Sequence, residues 1–194
     1  MIESTDEDLM LLVREGDRGA FDLLVQRHRR STLNFVYRFL GDREAAEDLS
    51  QEVFVRLWSC SPGYVPSAKL TTFLYHIARN LCRDYLDKTR RHPHVVSLLE
   101  ERGDGEGHSR RLEEEIRDPR GSPHRELASR QTEAEIETAL GALPEDQRLV
   151  FVLTELQGCS YETAAQIAGC PVGTVASRKS AAIRALRKKL SPVA

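Results

Sequence analysis

Two stretches of the sequence carry side chains suited to holding a polyanion. Between residues 160 and 190 the chain reads SYETAAQIAGCPVGTVASRKSAAIRALRKKL. Thr174, Ser177, Arg178 and Arg184, with the basic tail Arg187-Lys188-Lys189, fall on one side of a helical repeat there. Hydroxyl and guanidinium groups so placed donate to phosphate oxygens and to base edges. Between 70 and 91, LTTFLYHIARNLCRDYLDKTRR sets Thr72, His76, Arg79, Arg83 and Arg90 on one side, with Phe73 and Asn80 beside them. Cations interleaved with an aromatic ring and an amide fit phosphate contact together with stacking on exposed bases. A core helix with snorkelling arginines has the same appearance. Other chemistry finds little support. Cys60, Cys82, Cys159 and Cys170 lack CxxC spacing, and Cys60 and Cys82 stand at no familiar ligand interval from His76, His92 or His94. Reduced thiols, no metal and no cofactor are therefore expected. No His, Cys and carboxylate set has catalytic spacing, so no enzymatic activity is expected either.

The elements that must position these groups read as helices throughout. Ser160 is an N-cap with Glu162 in the first turn, Gly169 a left-handed stop, and Pro171 a first-turn residue of a second helix. Ala164, Ala165, Ile167 and Ala168 make a small-residue face on the first of these helices, and Val175, Ala182, Ile183, Leu186 and Leu190 an apolar stripe on the second. A short helix, a Gly-containing turn and a longer basic helix form the pattern of a helix-turn-helix that reads a DNA major groove. An ordinary helical hairpin with a basic end is the alternative.

Nearer the N-terminus, Thr5 and Asp8 predict a capping box for a helix bearing Leu9, Leu12 and Val13, closed by Gly16. A helix over 18–40 follows, with Phe21, Leu24, Val25, His28, Leu33, Val36, Phe39 and Leu40 inward and Gly41 as its stop. Asp42 then caps a helix over 43–58, with Ala46, Leu49, Val53 and Leu57 inward. Asp48, Gln51, Glu52 and Val55 lie on another side of it, flanked by Phe54 and Trp58. That face is either a docking surface or a solvated face whose aromatics turn inward; spacing leaves both open. Residues 59–68, SCSPGYVPSA, read as a loop. The 70–91 helix turns Leu70, Leu74, Ile77, Ala78, Leu81 and Tyr85 inward, and Pro93 ends it. Residues 92–121 read as a flexible, patchily acidic linker with a helical turn around Arg111 to Ile116. Ser122 and Pro123 restart order, a helix runs to about Leu140, and Leu143-Pro144-Glu145 opens another through Leu156 that Gly158 stops. No strand signal of any length is present.

The net charge of −2 over 194 residues conceals a pattern. Residues 59–94 hold six Lys and Arg against two Asp and Glu, and 160–194 hold six against one. Residues 133–159 hold one against six. Two basic blocks alternating with acidic ones point to two DNA-facing patches and separate acidic surfaces for other partners. No apolar run reaches the ~18–20 residues of a membrane span, and the acidic N-terminus lacks the regions of a signal peptide, so a cytoplasmic protein is expected.

DLSQEVFVRLW, LTTFLYHIARNLCRDYLDKTRR and ALPEDQRLVFVLTELQGCSYETAAQIAGCPVGTVASR, in this order and spacing, resemble the extracytoplasmic-function sigma factors of bacterial RNA polymerase. The resemblance spans nearly the whole chain outside the linker. It implies an all-α fold of two small helical domains, sigma region 2 over 1–91 and sigma region 4 over 122–194, joined by the flexible linker 92–121. Region 2 would bind the polymerase clamp and open the −10 element; region 4 would hold the flap and read the −35 element. By motif position, Asp48, Gln51, Glu52, Phe54, Leu57 and Trp58 would form the clamp-binding helix. The loop 59–71 would cradle a base flipped from the non-template strand. Lys69, Thr72, Phe73, His76, Arg79, Asn80, Arg83, Lys88, Arg90 and Arg91 would grip the −10 strand and adjacent phosphates. Thr174, Ser177, Arg178, Lys179 and Arg184 would face the −35 element. The chain departs from the family at Ala176, where Arg or Lys is frequent, at Lys179, where an apolar residue is usual, at Phe73, where Trp is usual, and in its loop, which lacks Phe-Arg-Gly. Expected partners are core polymerase, promoter DNA and an anti-sigma factor. The competing reading is a stand-alone helix-turn-helix regulator whose N-terminal half senses a ligand or dimerises.

Overall fold

A computed structural model describes residues 4–91 and 126–190, with side chains of the second stretch from 134 onward. The expected linker 92–121, its turn around Arg111 to Ile116, the helix end at Pro93 and the cap at Ser122 and Pro123 lie outside these residues. The regular elements among the described residues are all helices, with no strand among them. The chain divides into two compact units, Met1–Val36 with Glu44–Gly103, and Tyr37–Arg43 with Asp104–Ala194.

The first unit begins with helix α1, Asp6–Arg14. Thr5 caps it as the sequence predicts: the Thr5 hydroxyl accepts the Asp8 N–H at 3.1 Å, and the Asp8 carboxylate accepts the Thr5 N–H at 3.1 Å. Leu9, Met10 and Val13 are buried, whereas Leu12, expected inward, is exposed. Helix α2 spans Arg18–Leu40, the predicted bounds, and stops at Gly41, whose φ of 79° needs a residue without a Cβ. Helix α3 runs Arg43–Cys60, two residues past its expected end, with the Ser59 hydroxyl folding back onto the Val55 carbonyl at 2.9 Å. A 3-10 turn at Ser61–Gly63 follows, so the loop proper is shorter than expected. Helix α4, Leu70–Arg91, again has the predicted bounds.

The core of this unit is made by Met10, Leu24, Phe35, Val36, Ala46, Val53, Leu57, Leu74 and Ala78. Phe35 of α2 meets Tyr75 of α4 with ring centroids 5.1 Å apart, and Phe21 of α2 meets Trp58 of α3 edge-on at 5.0 Å. Such aromatic pairs add roughly 0.5–1.5 kcal/mol to the burial of their area. The packing of α1 on the Ser61–Gly63 turn and on α4 sets where the loop lies.

In the second unit helix α5, Glu126–Gly141, leads into helix α6, Glu145–Phe151. The expected continuation of α6 through Leu156 exists but is not α-helical. Val152–Leu156 widens into a π turn, in which the Gln157 N–H reaches the Val152 carbonyl at 3.0 Å. Helix α7, Tyr161–Ala168, starts at Ser160, whose hydroxyl accepts the Thr163 N–H at 3.2 Å. Gly169, at φ 65°, makes the sharp turn into helix α8, Val172–Leu190. Ala139, Leu140, Leu143, Ala182 and Leu186 pack into one cluster, with Ile136, Phe151 and Ala185 against it. Val175 is fully buried too, while Leu190, expected inward, is exposed.

Candidate nucleic-acid and partner-docking faces

The exposed side of α3 is polar with one apolar residue at its centre. Asp48 and Gln51 are exposed, and Glu52 pairs with Arg56 one turn on at 3.0 Å. Val55, one turn on from Gln51 and Glu52, is 57% exposed. The aromatics and leucine assigned to the same helix sit otherwise. Leu57 is 0% exposed, Phe54 8%, and Trp58 is half-covered against Phe21. Phe54 is thus turned inward and Trp58 partly so. The solvent side of α3 includes Asp48, Gln51, Glu52 and Val55, supported from beneath by Phe54 and Leu57.

The segment between α3 and α4 is tied at both ends to α1. The Glu7 carboxylate accepts the Leu70 N–H at 2.9 Å, satisfying an orphan donor at the α4 N-terminus. Arg14 Nη1 donates to the Tyr64 carbonyl at 3.4 Å. Between these ties Val65 is 69% exposed and Lys69 is exposed, while Tyr64 is buried with its ring 6.0 Å from that of Phe73. Burial, reinforced by the charge of Glu7, pushes the Tyr64 phenol above its ordinary value and keeps it neutral. Neither Glu7 nor Arg14 figured in the sequence reading, because nothing local to either residue signals a partner more than 45 positions away.

Along α4 the polar groups form a connected row. Arg79 Nη1 donates to Asn80 Oδ1 at 3.1 Å, and Asn80 Nδ2 lies 3.4 Å from His76 Nδ1. His76 is exposed; Thr72, Phe73, Arg79, Asn80 and Arg83 are half-buried. Lys88, Arg90 and Arg91 are exposed in the last turn, where cations also meet the negative end of the helix dipole. Arg90 reaches Asp87 at 3.8 Å. The row presents amide, imidazole and guanidinium donors beside one aromatic ring, a set able to hold a single strand by its phosphates and bases.

On α8 the five assigned residues separate into two groups. Ser177 and Arg184 are exposed and Thr174 is half-buried, with the Ser177 hydroxyl resting on the Thr174 carbonyl at 3.0 Å. Arg178 and Lys179, expected to face outward with them, are engaged within the unit. Arg178 Nη2 donates to Asp146 Oδ2 of α6. Lys179 Nζ pairs with Glu155 Oε1 of the π turn and lies 4.9 Å from the centroid of the Tyr161 ring. The Glu155 carboxylate, then the Tyr161 hydroxyl, raise the Lys179 ammonium above its ordinary value.

Cys60 is exposed, Cys82 buried, and Cys159 and Cys170 half-buried; all four are free thiols. Among the described residues no three His, Cys, Asp or Glu side chains gather in a way that would hold a metal ion. No helix among them is long and apolar enough to cross a membrane.

Two family models match the chain. Residues 24–92 match Sigma-70 region 2, and residues 133–186 match Sigma-70, region 4. Over its full length the chain is 33% identical to an RNA polymerase sigma-H factor of Pseudomonas aeruginosa, covering 97% of that protein. It is 33% identical to an ECF RNA polymerase sigma-E factor of Haemophilus influenzae over 97% of each chain. With the sigma-E factor of Escherichia coli the identity is 31%, over 97% of this chain and 96% of the other. Among solved structures the fold is similar to CnrH, in complex with the cytosolic domain of CnrY. The TM-score is 0.69 at 24% identity, covering 98% of this chain and all of the other. It is also similar to the sigma factor RpoE, in complex with the anti-sigma factor NepR from Bartonella quintana. That TM-score is 0.64 at 24% identity, over 90% and 98% of the two chains.

Proposed function

The chain belongs to the sigma-70 family as an extracytoplasmic-function sigma factor, and from that premise we propose how its two units divide the work of promoter recognition. It binds the RNA polymerase core, directs it to promoter DNA and initiates transcription. The observation that carries the assignment is the pair of family matches, region 2 then region 4, together with full-length similarity to proteins named as sigma factors. These relatives favour the sigma reading over a stand-alone helix-turn-helix regulator.

The domain roles and site residues are our proposal. Residues 1–91 dock on the polymerase clamp through Asp48, Gln51 and Glu52, with Phe54, Leu57 and Trp58 fixing the helix that presents them. The loop after α3 receives a base turned out of the duplex. Taking a base from the stack costs a few kcal/mol, and capture in a pocket offsets that cost. Lys69, Thr72, Phe73, His76, Arg79, Asn80, Arg83, Lys88, Arg90 and Arg91 hold the −10 strand: the cations through phosphates, Phe73 by stacking, His76 and Asn80 through hydrogen bonds. Residues 122–194 hold the polymerase flap and read the −35 element through α8, with Thr174, Ser177 and Arg184 outward and Arg178 and Lys179 at the flanks. Residues 92–121 link the two. The chain supplies no bond-making group; the chemistry of RNA synthesis belongs to the polymerase. It acts in the cytoplasm, beside the chromosome, and an anti-sigma factor holds it silent by covering these same faces.

Run-off transcription tests the reading. Purified chain added to core polymerase should start transcripts at a subset of genomic promoters and bind the same DNA only weakly alone. Tight binding to a palindromic operator without polymerase, with no promoter-directed transcript, would sink it.

A further inference from the structure

Resting on the reading of α8 as the −35 reader, we infer that Arg178 and Lys179 are positioning residues that fix the pose of the recognition helix. Direct contact with the −35 element then falls to Thr174, Ser177 and Arg184. The geometry of the helix carries the inference. At about 100° per residue, Val175, Ala182 and Leu186 define the buried stripe. Lys179 lies about 40° to one side of Val175 and Arg178 about 60° to the other, whereas Ser177 and Arg184 lie roughly opposite the stripe. The two consecutive cations thus leave the helix on either side of its core face. Each reaches a different neighbour, Asp146 in the first turn of α6 and Glu155 in the π turn. Their side chains are correspondingly covered, with 28% of Arg178 and 19% of Lys179 exposed.

A stripe containing alanine and valine resists rotation of α8 about its own axis only weakly, because small side chains interdigitate little. Ion pairs on both sides of that stripe oppose rotation in either direction. The cation–ring contact of Lys179 with Tyr161 extends the hold to α7, so α6, the π turn and α7 are all referenced to one helix. The pairs do a second thing. Asp146 and Glu155 are carboxylates beside a surface that must approach phosphates, and pairing cancels the repulsion they would otherwise exert. A cation released to DNA would uncover its carboxylate at the moment of binding. The raised affinity of Lys179 for its proton fits a charge engaged inside the unit. Ala176, in the same turn, contributes no polar contact of its own, which leaves the outward face small and hydroxyl-rich around Arg184.

The test uses the full chain assembled with core polymerase, and promoter fragments recovered by run-off transcription, each with its −35 hexamer intact or scrambled. The readouts are the advantage of the intact over the scrambled fragment and the dependence of binding on salt. A positioning role predicts that Arg178→Ala and Asp146→Asn each reduce the −35 advantage, by a similar factor of roughly three to ten. It predicts a salt slope within about half a phosphate of the unaltered protein. The exchanged pair, Arg178→Asp with Asp146→Arg, should recover most of the advantage. Lys179→Gln and Glu155→Gln should follow the same pattern as each other. The inference is overturned if Asp146→Asn leaves or raises the −35 advantage while Arg178→Ala lowers it and flattens the salt slope by about one phosphate. It is equally overturned if the exchanged pair melts like the unaltered protein yet has no −35 advantage. Should a single variant fail to fold, the exchanged pair carries the test. An unaltered chain that starts no promoter-directed transcript would refute the proposed function itself, a failure visible before any variant is made.

Discussion

The carboxylate of Glu7 accepts the backbone N–H of Leu70 at 2.9 Å, so a side chain of the first helix closes the N-terminus of the fourth, 63 residues further on. With Arg14 holding the Tyr64 carbonyl, α1 fastens both ends of the segment that precedes α4. Under the proposed function this loop receives an unstacked base, and such anchoring would favour capture because less of the loop's freedom is lost on binding.

Glu7→Ala should therefore separate the two promoter elements. Loss of the cap should lower stability by about 1 kcal/mol, the usual worth of a side-chain N-cap. It should also reduce permanganate reactivity of −10 thymines in complexes with core polymerase, while the −35 advantage stays unchanged. A variant that melts lower but opens promoters normally would show that the tie is structural alone.

Asp6 anchors the other side of α1. Its carboxylate accepts Arg27 Nη1 at 2.8 Å and lies 2.7 Å from His28 Nε2. Burial pushes the Asp6 carboxyl up, but the hydrogen bonds from Arg27 and His28 and their charges outweigh it, and the net shift is downward from 3.8. A carboxylate depressed in the folded state binds fewer protons than in the unfolded chain. Its contribution is therefore present above that ordinary value of 3.8 and is lost as pH falls through the lower folded value. Melting followed from pH ~6 to ~3 should show the unaltered protein losing its lead over Asp6→Asn only below pH ~4. A lead that already declines near neutrality would contradict the assignment.

Thiol accessibility should rank in a fixed order. Cys60 is exposed at the end of α3, Cys82 is buried in α4, and burial pushes the Cys159 thiol up. The Cys159 thiol is thus both half-covered and less ready to form thiolate, the reactive form, than an ordinary cysteine. Brief alkylation with iodoacetamide followed by peptide mass spectrometry should label Cys60 first and Cys82 only after denaturation. Early labelling of Cys82 would mean that α4 opens in the native state.

Much of the fold could be read from local signals, and the exceptions have a common cause. The bounds of α2 and α4 were legible because Gly41 and the apolar stripes are local features. The cap at Thr5 and the left-handed turn at Gly169 were legible for the same reason. The π turn at Val152–Leu156 was not, since an extra residue in one turn hardly alters an apolar repeat already rich in Val and Leu. Lys179 was assigned to the −35 face by motif position; that an apolar residue is usual there was the one signal of its place near the core stripe, and its partners Glu155 and Tyr161 could not be read from the sequence. The proposed docking residues of α3 were assigned by type and motif, while helical spacing alone set Leu57 inward and Val55 on another side, as their burial now has them.

That difference between Val55 and Leu57 gives the sharpest separation of binding from folding. Both are aliphatic residues on α3 two positions apart, one 57% and the other 0% exposed. Leu57→Ala removes buried methyl groups and should cost about 2–5 kcal/mol, so any loss of polymerase binding should track the unfolded fraction. Val55→Ala should change stability by no more than about 0.5 kcal/mol. Seated among Asp48, Gln51 and Glu52, it should still weaken binding to core polymerase, roughly tenfold if it fills a pocket at the contact. Gln51→Ala with Glu52→Ala should abolish core binding, with little change in melting, because the Glu52–Arg56 pair is solvent-exposed and worth under about 1 kcal/mol. Fluorescence anisotropy with labelled chain and core polymerase measures these affinities, and thermal melts of the same samples measure the stabilities. Normal core binding by a well-folded Gln51 and Glu52 double variant would move the clamp contact off this face of α3, whatever Val55 does.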